Sequence, residues 1–188
     1  MAPLSRGSRR AGAIALLALA LALVRGAAAA EPAMEYQVKA VFLYNFTQFV
    51  DWPAEAFAKP DSPLVIGILG EDPFDKYIDD VVRGEKAGGH PIIVKRFRDV
   101  ESARDCQLLF VGGADARRLD TLASLLKDRM TLTVGDTGEF SKRGGMIDFI
   151  TRQGKIRLQI NMGTVRAARL TVSSKLLRLA DIVEPGKG

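Results

Sequence analysis

"LVIGILGEDPFDKYIDDVVRG", Leu64 to Gly84, sets a strand and a helix back to back. Five aliphatic residues, interrupted by Gly67 and closed by Gly70, read as a buried strand, because a strand covered on both faces needs no polar alternation. The period then changes. Asp72 reads as an N-cap, Pro73 as the first helical residue, and Phe74, Tyr77, Ile78, Val81 and Val82 as the apolar face of a helix that Gly84 stops.

The same alternation continues downstream. A turn at Gly88-Gly89 leads through His90-Pro91 into "IIVKRF", "DVESARD" links this strand to "QLLFVGG", and "ADARRLDTLASLLKD" reads as a helix with Leu119, Leu122, Leu125 and Leu126 inward. "MTLTVG" is a fourth short strand. Strand, helix, strand, short helix, strand, helix, strand is the pattern of a parallel α/β sheet. Beyond it, "GGMIDFIT" and "KIRLQIN" alternate apolar and polar residues around "RQGK", which predicts a β-hairpin joined to the sheet as antiparallel strands. The last segment, "MGTVRAARLTVSSKLLRLADIV", breaks near Leu170 to Ser173. It is expected to end in a helix with Leu176, Leu177, Leu179, Ala180 and Val183 apolar, closed by Pro185 and the glycines after it.

Upstream, "EPAMEYQVKAVFLYNFTQFVDWP" has Val38, Val41, Phe42, Phe46, Phe49 and Val50 at three- and four-residue steps. It predicts a helix that Pro53 ends and whose aromatic residues close one side of the sheet. The expected fold is a single α/β domain over residues 31–188, with a mostly parallel central sheet, flanking helices and an antiparallel C-terminal hairpin.

Residues 1–30 are of a different kind. They carry Arg6, Arg9, Arg10 and Arg25 and no acid, the 14-residue apolar run Ala11 to Val24, and the small-residue tail "GAAAA". That is the make-up of a secretory signal peptide with a cut after Ala30, the apolar run being shorter than the roughly 20 residues a membrane-spanning helix needs. Cleavage changes the charge argument. The chain's +5 invites a nucleic-acid reading, but removing four of 27 basic residues and none of 22 acidic ones leaves 23 against 22. A near-neutral mature chain argues against nucleic acid as a partner. Cys106 is the sole cysteine. It allows no intramolecular disulfide and, at the entry of an apolar strand, reads as a small buried hydrophobe.

The search for chemistry returns little. One histidine, His90, and one cysteine argue against a zinc or iron centre, so no metal and no cofactor are expected. His90 in its glycine-proline turn has no nucleophile or orienting carboxylate close in sequence, and only convergence with a distant group such as Ser173-Ser174 would make it catalytic. "IGILGEDPF" lacks the spacing of a dinucleotide loop, and Glu71 and Asp72 put negative charge where a phosphate would sit. "FVGGADARR" lacks the lysine-serine or lysine-threonine pair of a P-loop. "NFT" at Asn45 formally matches a glycosylation acceptor, yet Asn45 shares a helical face with Phe42 and Phe49 and is expected to be buried and hydrogen-bonded. These readings point away from an enzyme, with no catalytic residue assigned.

Four stretches in order, "KAVFLYNFTQFVDWP", "IGILGEDPF", "GGMIDFI" with "KIRLQIN", and "VSSKLLRLA", resemble the YfiR-like periplasmic proteins, and "DCQLLFVG" is similar to that family's central strand. The resemblance runs over about residues 34 to 182. It implies a small α/β protein of the periplasm that binds the periplasmic sensor domain of an inner-membrane diguanylate cyclase and represses it, lowering cyclic di-GMP and opposing biofilm formation. It also implies self-association as a homodimer. Some members carry further cysteines that form disulfides; Cys106 stands alone here, so their redox control does not carry over unless Cys106 pairs between chains. The alternative function is a periplasmic small-molecule sensor or binding module without a cyclase partner, which would show an enclosed apolar pocket with a few convergent polar groups. For partner contact the candidates are Arg152, Arg157, Arg166 and Arg169, arginine being enriched at binding hot spots. Simple solvation of a strand or helix face is the other reading of the same four residues.

Overall fold

The structure, a computed structural model, describes residues 34–112, 116–126 and 128–183. The expected signal peptide, the side chain of Leu119 and the closing Pro185 lie outside the described residues. Contacts divide the chain into Met1–Tyr36, of which only residues 34–36 are described, and Gln37–Gly188, which carries everything below.

The elements are α1 (residues 34–49), β1 (Val50–Asp51), β2 (Leu64–Leu69), α2 (Tyr77–Val82), β3 (Lys86–Ala87), β4 (His90–Phe97), β5 (Leu108–Val111), α3 (Ala116–Leu125), β6 (Leu132–Gly135), β7 (Ile147–Arg152), β8 (Lys155–Asn161), α4 (Met162–Ala167), β9 (Thr171–Val172), α5 (Ser174–Leu177) and β10 (Ala180–Val183). Eight strands form one sheet in the order β10-β8-β7-β6-β5-β2-β4-β3, and β1 pairs with β9 beside it. The five strands β4-β2-β5-β6-β7 are all parallel. Counted along the chain their order is 2-1-3-4-5, a doubly wound arrangement.

The buried-strand reading of Leu64–Leu69 holds at every residue. Gly67 is there for space: a Cβ would sit 2.9 Å from Leu109 and 3.0 Å from the Cys106 sulfur. One sheet face carries Ile66, Ile68, Leu108, Phe110, Val134 and Phe149, as the strand registers require. Phe46 of α1 stacks on Phe149 at 5.8 Å and is fully buried, a contribution of roughly 2–3 kcal/mol. The other face packs Val65, Leu69, Leu109, Val111 and Phe140 with Leu122 of α3, while Leu125 and Leu126 are partly buried against them.

Several expectations are corrected. The buried side of α1 is Lys39, Ala40, Leu43, Phe46 and Thr47, continued by Val50 of β1, whereas Val38 and Val41 are exposed. Asn45 is half-buried rather than buried. The cause is Lys39, whose ammonium meets Asp136 at 2.9 Å; an ion pair joining α1 to the end of β6 turns the helix by about one position relative to the purely apolar stripe. The helix after β2 begins at Tyr77, not Pro73. Asp72 caps the preceding turn instead, accepting from the Phe74 N–H, and holds Arg96. Gly88-Gly89 is the tip of a small hairpin, β3 to β4, with His90 and Pro91 already in the strand.

At the C-terminus, β7 is parallel to β6, not antiparallel as expected, and the change of direction falls between β7 and β8. The expected closing helix is limited to α5, four residues long, and Ala180–Val183 is a strand parallel to β8. Tertiary demand overrides propensity there, because β8 would otherwise leave one side of its backbone unpaired.

Candidate functional site: a basic cleft beside the hairpin

The turn "RQGK" joins β7 to β8 through two residues, Gln153 with φ 52° and Gly154 with φ 70°. Both central residues are left-handed, as the two-residue turn that matches strand twist requires. This register sets Arg152 directly opposite Lys155. Residues two apart share a face, so Arg157 joins them, and Asp181 lies on the same face through its pairing with Gln159. Arg178, at the end of α5, enters from the side.

These residues border an open cleft of about 870 Å³, lined also by Gln153 and Leu158. Its four cations face one carboxylate, Asp181, which stands 3.9 Å from Arg152 with both side chains about two-thirds exposed. A pair that exposed is screened and contributes little. Among the described residues, Lys155, Arg157 and Arg178 have no ion-pair partner. Like charges directly opposed across a hairpin cost stability, so this is a surface arranged against its own electrostatics and suited to an anionic partner.

The structure thus brings Arg152 and Arg157 together and adds Lys155 and Arg178, which the sequence reading missed. Lys155 was readable from the turn, since "RQGK" puts its flanking residues face to face. Arg178 was not, because its place depends on β10 being a strand. Arg166 and Arg169 belong elsewhere: both follow β8 at the end away from the turn, and Arg169, at φ 60°, donates to the Met130 sulfur at 3.3 Å.

A second cavity, of about 390 Å³, lies between α3, the loop before β7, and α4. Leu122, Leu126, Phe140, Met146 and Ala168 line it, with Thr133, Thr164, Arg129 and Arg143 as polar groups. Its size and largely apolar lining fall within the range of small-molecule pockets, but it opens to solvent, whereas the sensor reading called for an enclosed one.

The motif "GGMIDFI" lines this second cavity through Gly144, Gly145 and Met146 and leads into β7. Gly144 adopts φ 99°, and a Cβ on Gly145 would sit 2.1 Å from the Phe140 ring. Asp148, fully buried, accepts the N–H groups of Phe140 at 2.8 Å and Gly138 at 3.3 Å, and so shapes the loop. Burial raises its pKa, against the lowering effect of those bonds. Met146 lines the second cavity and Phe149 receives α1.

The remaining candidates are structural. His90 donates Nδ1–H to the Ser62 carbonyl at 2.7 Å and stacks on Phe57 with centroids 3.7 Å apart. Ser173 caps α5 by accepting from the Lys175 N–H. At the carboxyl ends of β2 and β5, where a doubly wound sheet usually takes its ligand, the Glu71 carbonyl comes so near Gly112 that a Cβ there would be 2.8 Å away. Arg96 beside it is held by Asp72 and Asp79. The Cys106 thiol donates to the Ala103 carbonyl, and burial pushes its pKa up to about 12. Among the described residues, no group of three or more His, Cys, Asp or Glu is placed to hold a metal, and no helix is long and apolar enough to cross a membrane.

No curated protein matches the chain. Among solved structures, the ABC domain in complex with L-Trp from Streptococcus pneumonia is similar with a TM-score of 0.47 and 11% identity. The alignment covers 69% of this chain and spans 57% of that chain's length. The YfiR/HmsC-like family model matches residues 36–181, from the first turns of α1 to the second residue of β10. That span contains the aromatic helix, the first strand unit, "GGMIDFI" and the hairpin with its basic cleft, and by it the chain belongs to the YfiR/HmsC-like family.

Proposed function

We propose that this chain is a regulatory protein of the periplasm that binds the periplasmic sensor domain of an inner-membrane diguanylate cyclase and represses it, lowering cyclic di-GMP. The observation that carries the reading is the family match over residues 36–181. Export is through the basic, apolar, small-residue segment of residues 1–30, cleaved after Ala30. The contact surface is the cleft of Arg152, Lys155, Arg157 and Arg178, whose excess of cations over its one carboxylate favours an acidic partner. Arg166 and Arg169, beyond the other end of β8, lie outside this surface. Repression of this kind is a population shift: the regulator biases the receptor toward its inactive state by no more than its differential affinity for the two states.

The test is a pull-down and titration of the chain from residue 31 against the periplasmic domain of a cyclase encoded beside it. Micromolar binding that weakens in Arg157→Glu supports the reading. No binding at micromolar concentrations sinks it.

The cavity of about 390 Å³ favours a second reading, a small-molecule sensor. Ligand there would alter partner affinity, and partner would alter ligand affinity by the same factor. Thermal shifts with small apolar carboxylates, which suit Leu122, Met146 and Arg129, test it. Shifts abolished by Ala168→Trp support a sensor; no shift for any such acid at millimolar concentration removes it.

A further inference from the structure

The strand β10 ends the sheet, and among the described residues nothing pairs with its outer side. Successive residues of a strand point their N–H and C=O groups to alternate sides, so about half of those on β10 face outward without a strand to meet them. Natural edges of this kind are usually blunted by shortness, charged side chains, proline or a bulge, and β10 has only its four-residue length and Asp181 to do so. Here the strand is "ADIV", with Ile182 51% exposed and Leu179 just before it 67% exposed.

The two faces beside this edge differ in chemistry. On one, Asp181 is followed across the sheet by Arg157 and Arg152, with Lys155 and Arg178 alongside. On the other, Ala180 and Ile182 continue the apolar row of Leu158, Ile160 and Phe149. A strand laid along β10 would alternate between them. Its residues on the first face would stand beside Asp181 and reach past it toward Arg178 and Arg157, where cations outnumber that one carboxylate, and those on the second would meet Ile182.

We infer that the outer edge of β10 and the basic cleft together dock an extended acidic segment of a protein partner, which adds to the eight-stranded sheet as a further strand. The inference rests on the regulatory reading above and names how the partner is held. Main-chain bonds to the edge supply affinity, and alternation of acidic with apolar side chains supplies selectivity. A second copy of this chain is disfavoured as the occupant, because a two-fold pairing of β10 with itself brings two sets of four cations to one seam. Lipid headgroups would meet the arginines but have no backbone to offer the edge.

The probe is a blocked peptide of about eight residues alternating Glu and Val, with a Lys-Val peptide as its counterpart. Each is titrated against the chain from residue 31, with amide hydrogen exchange followed at residues 180–183. The expected result is binding of the Glu-Val peptide alone, slowed exchange at β10, and an affinity loss of about tenfold or more in Arg152→Glu/Arg157→Glu and in Ile182→Lys. These side chains are exposed, and an unchanged melting temperature shows that each variant folds.

Binding without slowed exchange, equal binding of both peptides, dimers formed through β10, or an equal loss of binding to phosphatidylglycerol vesicles in the same variants would each overturn the inference. The cyclase domain separates the two readings. If it binds wild type and the double variant equally, the edge inference fails and the regulatory reading stands. If it binds neither while the Glu-Val peptide behaves as expected, the regulatory reading fails and the acidic-segment site stands.

Discussion

Cys106 shows how a residue's chemistry is decided by its surroundings. Its sulfur lies beneath β2, within reach of the space Gly67 leaves empty, and burial raises the thiol from 9.0 to about 12. Since the thiolate is the reactive form, folded protein should react with a disulfide reagent at mildly alkaline pH only as fast as it opens. Labelling that proceeds at the rate of an unstructured cysteine would contradict this. The folded-state pKa is raised, so the linked stability is complete below 9.0 and is lost as pH climbs toward about 12. Cys106→Ala should flatten that alkaline decline in urea midpoints.

Asp148 carries the same sign for a different group. Its carboxyl is raised by burial from 3.8, so its contribution is complete below that value and is lost as pH rises through the raised one. The stability gap between wild type and Asp148→Asn should therefore narrow as pH increases from about 4 to 7. A gap that widens would show that the N–H groups of Phe140 and Gly138 dominate instead. Gly145→Ala should cost about 1–3 kcal/mol through collision with Phe140. Phe140→Leu in the same chain should return part of it, as a double-mutant cycle measures.

Among the elements, α1 is the one whose existence was plain in the sequence and whose orientation was not. Apolar spacing predicted a helix before Pro53, and residues 34–49 are helical. The stripe through Val38 and Val41 looked like the buried one because a lysine is rarely counted as core. Lys39 is buried because Asp136, 97 residues away, receives it. Replacing Lys39 by Met leaves the Asp136 carboxylate without this cation and should cost about 3–5 kcal/mol, with Lys39→Met/Asp136→Leu recovering much of it. Equal losses in the single and double variants, measured by denaturant unfolding, would contradict that account. The strand β10 is the opposite case. "LLRLADIV" has helix-like spacing, and four of its residues are extended only because β8 offers them a backbone.

At the scale of the whole molecule, four strands of the parallel core, β2, β4, β5 and β6, and the hairpin were legible because each depends on local signals: aliphatic runs, paired glycines, a two-residue turn. The order in which the strands lie is not local. No residue of β7 says whether it is parallel to β6; the length of chain between Gly135 and Ile147, with the loop that Asp148 ties, decides it. The same holds for the candidate site. Arg152 and Arg157 could be named from sequence, but so could Arg166 and Arg169, and only the register separated the pair in the cleft from the pair beyond the other end of β8. Family membership, the α/β class and the near-neutral charge of residues 31–188 were determined by the sequence itself, since composition, motif order and period are properties of the chain. The buried face of α1, the strand at Ala180–Val183 and the convergence of four cations beside an open edge were decided by tertiary structure, because each needs a partner far along the chain to make burial, pairing or charge favourable.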